Sequence, residues 1–439
     1  MGRRSLVAAA IAALLLSCQG TAPESPVIEI MTSFQGSELN SFRHVLDAFQ
    51  QQTHISYRMT PNVSRDVDEP LGNRLADPPD VVILPQPGEV GLLVRRHDAV
   101  APLAPATQAA VRASFDPLWR QAGTVDGQMY GVVFKGSDKS VLWYRPDALR
   151  KAGIASPPQS WDQFLDATHK LAAAGEPPVV VAGADGWTLT DWFENILLDQ
   201  SGPAVYDQLA RHEITWTSEP VRRALATLAR LWGDPRLMDG GMQGALQTTY
   251  DQSIATFAGA TPSPGFLYEA SFVESGLASR GAQAHRDYDL APFPEPDPAP
   301  GPVIIGGDVA ITMRHASHQD ASQALLRYLS SPEAALRWIE SSDGAGYLSP
   351  NRQVSPSVYP GTGLTATVAQ HIRSASVVRF DMSDTLPPDF GARDEWTDMQ
   401  GFLAHPDAIG ATTQELENHA SADLGSGGEP AELPRCPGC

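Results

Sequence analysis

The segment Gly183-Ala184-Asp185-Gly186-Trp187-Thr188-Leu189-Thr190-Asp191-Trp192-Phe193 sets two indoles and two carboxylates directly after the apolar run Val179–Val181. These residue types suit a carbohydrate. A sugar offers a face of C–H groups to an aromatic plate, and a rim of hydroxyls to carboxylate, amide or guanidinium groups. Trp187 and Asp191 fit that division, with Trp192 as a second plate, although Trp192 and Phe193 serve equally well as core anchors of a helix capped by Thr190. Phe34-Gln35-Gly36-Ser37-Glu38 lies between an apolar run and a helical pattern, where backbone N–H groups and the helix dipole are available to a ligand. Gly36-Ser37-Glu38 reads as a plain helix cap too. Phe266-Leu267-Tyr268-Glu269 and Gly306-Gly307-Asp308 complete the set, the two glycines permitting close backbone approach. Gln86, just past the run Asp80–Leu84, and the cations Lys135 and Arg352 are further candidates.

No catalytic constellation accompanies these residues. G-x-S-x-G, H-E-x-x-H, Walker A and a strand-linked G-x-G-x-x-G are all absent from the sequence. His212-Glu213 lacks a second histidine four residues on, and His315 and His318 read as solvated surface. With 51 Asp and Glu, some carboxylate pair falls near the spacing a glycosidase needs by chance alone, so such a pair carries no information. No catalytic residue, metal or cofactor is expected.

Short strands alternating with amphipathic helices would position the candidates. Val27–Met31 reads as a strand, Leu39, Phe42, Leu46 and Phe49 recur at helical spacing, and Ile55–Met59 alternates as a strand, which makes a βαβ opening. Asp80–Leu84, Met129–Lys135, Val141–Tyr144, Val179–Val181 and Val309–Thr312 read as further strands. Ser160 caps a helix over Trp161–Leu171 with Gln163 reaching back, and Ser331-Pro332 opens another. The pattern predicts an α/β architecture with mostly parallel sheets and ligands at the carboxyl ends of strands. Two such sheets facing each other would form a cleft, and Pro292–Pro302 reads as a linker crossing between them.

Composition bounds the partners. Lys+Arg 31 against Asp+Glu 51 gives −20 over 439 residues, and loss of Arg3 and Arg4 with residues 1–17 would leave 29 − 51 = −22. Such a surface repels phosphate backbones, which excludes nucleic acid. Arg3 and Arg4, the apolar run Leu6–Leu16 and Ser17-Cys18 have the layout of an export signal. Leu15-Leu16-Ser17-Cys18 resembles a bacterial lipobox, with Cys18 the lipidated thiol, a simple secretion signal being the alternative. Two acyl chains would anchor stably where one would not. Cys436 and Cys439 follow the Gly/Ser/Glu-rich stretch from Gly425 and read as a tail disulfide or free thiols, because a zinc site would need a second pair.

Tyr130-Gly131-Val132-Val133-Phe134-Lys135, Lys139-Ser140-Val141-Leu142-Trp143-Tyr144-Arg145-Pro146 and Trp161-Asp162-Gln163-Phe164 resemble the middle of extracellular solute-binding proteins of ABC sugar importers. Gly306-Gly307-Asp308, Ser331-Pro332-Glu333 and Leu348-Ser349-Pro350-Asn351 extend the likeness to about residue 420. Gly186-Trp187, Asp191-Trp192, Arg379-Phe380-Asp381-Met382-Ser383-Asp384 and Trp396 resemble the alpha-glucoside subgroup. The resemblance implies an α/β, two-lobed periplasmic-binding-protein fold, type II-like, with a central ligand cleft and hinge crossings. It implies a monomer that closes on a small-molecule sugar and docks on the transmembrane permease subunits of an ABC importer, held to the membrane by its lipid anchor. The lobes would comprise 27–145 with 303–350 and 146–302 with 351–420, after a signal peptide (1–17) and tether (18–26) and before a flexible tail (421–439). The same fold binding another polar solute, such as a glycerol phosphodiester or sulfosugar, is the first alternative; a secreted glycoside hydrolase is the second.

Overall fold

The computed structural model describes residues 26–61, 71, 74–259, 262–296, 301–341, 344–361 and 363–424. The expected export signal, Cys18, and Cys436 and Cys439 lie outside the described residues. In chain order, the elements that build the site begin with β1 (Val27–Thr32), α1 (Gly36–Thr53), β2 (Ser56–Pro61) and β3 (Val81–Leu84). They continue with β4 (Gly131–Asp138), β5 (Val141–Tyr144), α2 (Trp161–Ala173), β6 (Val179–Val180) and α3 (Trp187–Ala210). Then come β7 (Phe266–Tyr268), α4 (Val273–Ser279), β8 (Asp289–Pro292), β9 (Val303–Thr312), α5 (Thr365–Ser374), β10 (Val378–Phe380) and α6 (Glu395–Ala404).

Two main sheets form, one per lobe, beside a separate two-stranded ribbon of Thr124–Val125 and Gln128–Met129. The first runs β10-β9-β3-β1-β2 with β4 also paired to β9, and the second runs β8-β5-β7-β6. The βαβ opening is as the periodicity requires, with β1 parallel to both β2 and β3. The sheets as wholes are mixed rather than mostly parallel: β9 is antiparallel to β3 and β4, and β5 is antiparallel to β7 and β8. The chain leaves the first sheet and comes back to it, so the returning strands enter in the opposite sense, and period-2 alternation is the same for both senses.

Each sheet carries its own apolar core, one spanning Ile28 to Phe134 and Val303 to Phe380, the other centred on Trp161, Trp192, Trp216 and Phe402. The chain passes between them at β4–β5, β8–β9 and directly after β10. Two expected lobe boundaries therefore move. β5 is a central strand of the second sheet, so the first crossing falls at Lys139-Ser140 and not after Arg145. Val354, Tyr359 and Ala369 pack in the first core, so 351–380 returns to the first lobe and only the chain from Asp381 joins the second.

Local signals explain the helices nearest the site. Ser160 Oγ accepts from the Gln163 backbone N–H at 3.4 Å. Gln163 reaches back one residue further than a reciprocal box requires and accepts from Gln159 N at 3.0 Å. At α3 the cap differs from expectation: the helix begins at Trp187 after Gly186, whose φ of 78° is open to glycine and costly for other residues, and Thr190 lies buried inside the first turn.

Candidate functional site

Between the lobes lies a cleft holding about 680 Å³ of space, open solvent at its mouth included. Its first-lobe wall is Ser33, Phe34, Glu38, Pro85, Gln86, Lys135, Gly307 and Asp308; Ser137 and Lys139 lie along the floor, and Trp187, Phe272, Asp384 and Trp396 face them.

The floor is organised by two lysines four residues apart, a spacing that keeps them on one face of an extended chain. Lys135 on β4 stands directly across from Asp308 on β9 in register, next to a bulge that gives β4 one extra residue. Its Nζ lies 2.8 Å from Asp308 Oδ2 and 2.6 Å from Glu38 Oε1 on α1. The same ammonium is 5.3 Å from the Phe34 ring centroid and 5.5 Å from that of Phe272 across the cleft. Burial pulls the Lys135 pKa down, but Asp308 and Glu38 more than offset it, so the group is held above its ordinary range.

Lys139, at the first crossing, is tied to the second lobe. Its Nζ lies 2.6 Å from Asp381 Oδ2, 2.9 Å from Asp384 Oδ2 and 3.3 Å from Asp191 Oδ1. Burial pushes Asp191 far above the carboxylate range, and the negative charge of Asp381 and Asp384 outside it adds to that push against Lys139. Asp381 feels the same burial, yet Lys139 and hydrogen bonds from its neighbours hold it below the range. Asp191 is thus pushed toward its protonated form and Asp381 held toward its charged one. Tyr268 and Asn195 fix this lysine's backbone: the Tyr268 hydroxyl donates to the Lys139 carbonyl at 2.7 Å, and Asn195 Nδ2 donates to the same oxygen at 3.0 Å.

The aromatic wall comes from the second lobe. Trp187, at the first position of α3, packs 5.4 Å from Tyr250 and 6.3 Å from Phe272 between ring centroids. Gly186 permits this, since a Cβ there would sit 2.7 Å from Trp396 Cβ on α6. Gly306 and Gly307 do allow close approach, but the neighbours are Lys139 Cε and the Lys135 carbonyl, each 2.8 Å from a notional Cβ.

Of the sequence candidates, Glu38, Gln86, Lys135, Trp187, Gly307 and Asp308 line the cleft. Asp191 and Tyr268 stand behind the wall and hold Lys139. Trp192 is core, its ring 4.4 Å from that of Tyr268 and 6.2 Å from Trp161. Glu269 is buried, and its backbone carbonyl accepts from Trp143 Nε1 at 2.9 Å. Gln35 and Gly36 are exposed at the start of α1, while Ser37 touches the second lobe through a 2.6 Å hydroxyl contact with Ser275 on α4. Arg352 lies away from the cleft, half exposed, with Nε 3.4 Å from Asp116. Ser33 and Phe272 carry no site signal in the sequence, and Lys139, Asp384 and Trp396 enter there only through the resemblance.

A cleft between two mixed sheets joined by three crossings, walled by indoles and carboxylates, is the architecture of a solute receptor. The chain belongs to the bacterial extracellular solute-binding protein family, whose model matches residues 71–336. It is similar to the osmoprotective compounds-binding protein of Synechocystis sp., with 27% identity over 406 residues covering 90% of this chain and 93% of that one. The alpha-glucosides-binding periplasmic protein of Rhizobium meliloti is 25% identical over 390 residues, covering 86% and 83%. Among solved structures, the bacterial solute receptor AcbH superposes with a TM-score of 0.80 at 16% identity, over 91% of this chain and 100% of the other, which establishes the two-lobed periplasmic-binding-protein fold.

Proposed function

We propose that this chain is the lipid-anchored substrate-binding component of an ABC sugar importer, which captures an alpha-glucoside or related oligosaccharide by lobe closure and delivers it to the permease. The observation that carries the reading is the pairing across one cleft of Trp187 with Glu38 and Asp308, an apolar plate opposite hydroxyl acceptors, with Asp384 a third acceptor on the plate's own side. The alpha-glucosides named for the Rhizobium relative point the same way. No bond need break. A ligand touching both lobes stabilises the closed state by its differential affinity, and contacts such as Ser37–Ser275 already bring the lobes together. Cys18 would hold the receptor outside the membrane, near its permease.

Calorimetry with a panel of neutral gluco-oligosaccharides tests the reading. Trp187→Ala should weaken binding about tenfold or more, the scale of one lost stacking plate with its buried area, while the variant stays folded by circular dichroism. Unchanged affinity in a folded variant removes Trp187 from the site.

A further inference from the structure

We propose that the cleft is a charge filter that admits uncharged polyhydroxy ligands and excludes anionic ones, with Asp308 setting the selectivity at the Lys135 end. The inference rests on reading the cleft as a saccharide site, and it concerns the lysines and arginines that an anion would need. Lys135 faces two carboxylates and Lys139 faces three, with only three N–H donors on each ammonium. Arg379 makes a two-pronged pair with Asp207, Nε to Oδ1 at 2.7 Å and Nη2 to Oδ2 at 3.0 Å. Arg352 is outside the cleft on Asp116.

The charge balance follows. Lys135 and Lys139 stand against Glu38, Asp308, Asp381 and Asp384, which gives 2 − 4 = −2 before Asp191 is counted. Carboxylates only accept hydrogen bonds, so they suit sugar hydroxyls, which donate. A carboxylate or phosphate on the ligand would meet Asp308 and Asp384 directly. To gain a lysine it would have to strip that lysine from its partners and leave buried carboxylates uncompensated. The net charge of the whole chain does not enter; the selectivity is local.

The test is calorimetry on the full chain with neutral gluco-oligosaccharides of one to three units and with counterparts in which one hydroxymethyl is oxidised to a carboxylate. Each neutral binder should lose about tenfold or more on oxidation. Asp308→Asn releases Lys135 from one partner and should narrow that ratio about tenfold, and Glu38→Gln, at the lysine's other partner, should narrow it in the same direction. The ratio is read within one variant, so a general loss of stability leaves it interpretable. An oxidised sugar that binds the wild type as tightly as its parent overturns the filter, as does an unchanged ratio in both variants. Binding by no saccharide of either kind overturns the carbohydrate reading itself, and the filter with it; binding by oxidised sugars alone overturns the filter only.

Discussion

Replacing Lys139 by Met removes one ammonium from among three carboxylates while keeping most of the apolar stem. The Lys139 side chain is 6% exposed and that of Asp381 is 0% exposed, so water cannot take over the lost pairing. Breaking such a buried pair from one side costs about 3–5 kcal/mol. At roughly 2 °C per kcal/mol for a chain of this size, Tm should fall by about 6–10 °C. The pH dependence gives a second signature. In the wild type Asp381 is held below its ordinary pKa, so its contribution is present above about pH 4 and is lost as pH falls through the depressed value. In the variant burial is opposed only by hydrogen bonds such as those from Ser383 Oγ and the Asp384 N–H and raises the carboxylate, so the folded state binds protons more tightly and stability declines as pH rises. The deficit should thus shrink as pH is lowered from 8 to 5. Ligand-free thermal melts followed by tryptophan fluorescence read both effects. A deficit under about 2 °C that does not vary with pH would refute the argument.

Two further perturbations probe the frame of the site. Gly186→Ala forces a residue with a Cβ to φ 78° and into Trp396; it should cost about 1–3 kcal/mol, read as a lower guanidinium midpoint, and weaken saccharide affinity by displacing the cleft wall. His371, in the last turn of α5, places Nδ1 2.7 Å from Asp138 Oδ2 at the first crossing, with Glu295 on the second crossing also acting on it. Burial lowers its pKa, but Asp138 and Glu295 outweigh that and raise it. The contribution is therefore complete below about pH 6.5 and fades as pH rises through the raised value. His371→Asn should flatten the wild type's loss of thermal stability between pH 6 and 9, and an unchanged slope would count against the pair.

Local patterns in the sequence carried the elements but not their convergence. The βαβ opening, the cap at Ser160 and the segment 183–193 were all legible, because periodicity and capping act within a few residues. Within 183–193 the roles of the two indoles separate only once the helix start is known. With α3 beginning at Trp187, that ring opens the helix at the cleft, and Trp192 falls on the buried face against Tyr268. Lys139 was passed over because its partners lie 52, 242 and 245 residues away, and no spacing rule spans such separations. Arg352 misled for the converse reason: its charge marks it as a candidate cation but not where it sits, and its side chain lies beside Asp116.

The placement of β9 governs the order in which the molecule can be completed. This strand pairs with β3, β4 and β10 in the first sheet, although it arrives only at Val303–Thr312. Until it emerges, β3 lacks one neighbour and β4 lacks its pairing with β9, while β5, β6, β7 and β8 of the second sheet are already available between Val141 and Pro292. Long-range pairing of this kind is slow to form. A chain emerging from its N-terminus therefore begins one lobe first and completes it late, and for most of its synthesis it lacks a finished first sheet.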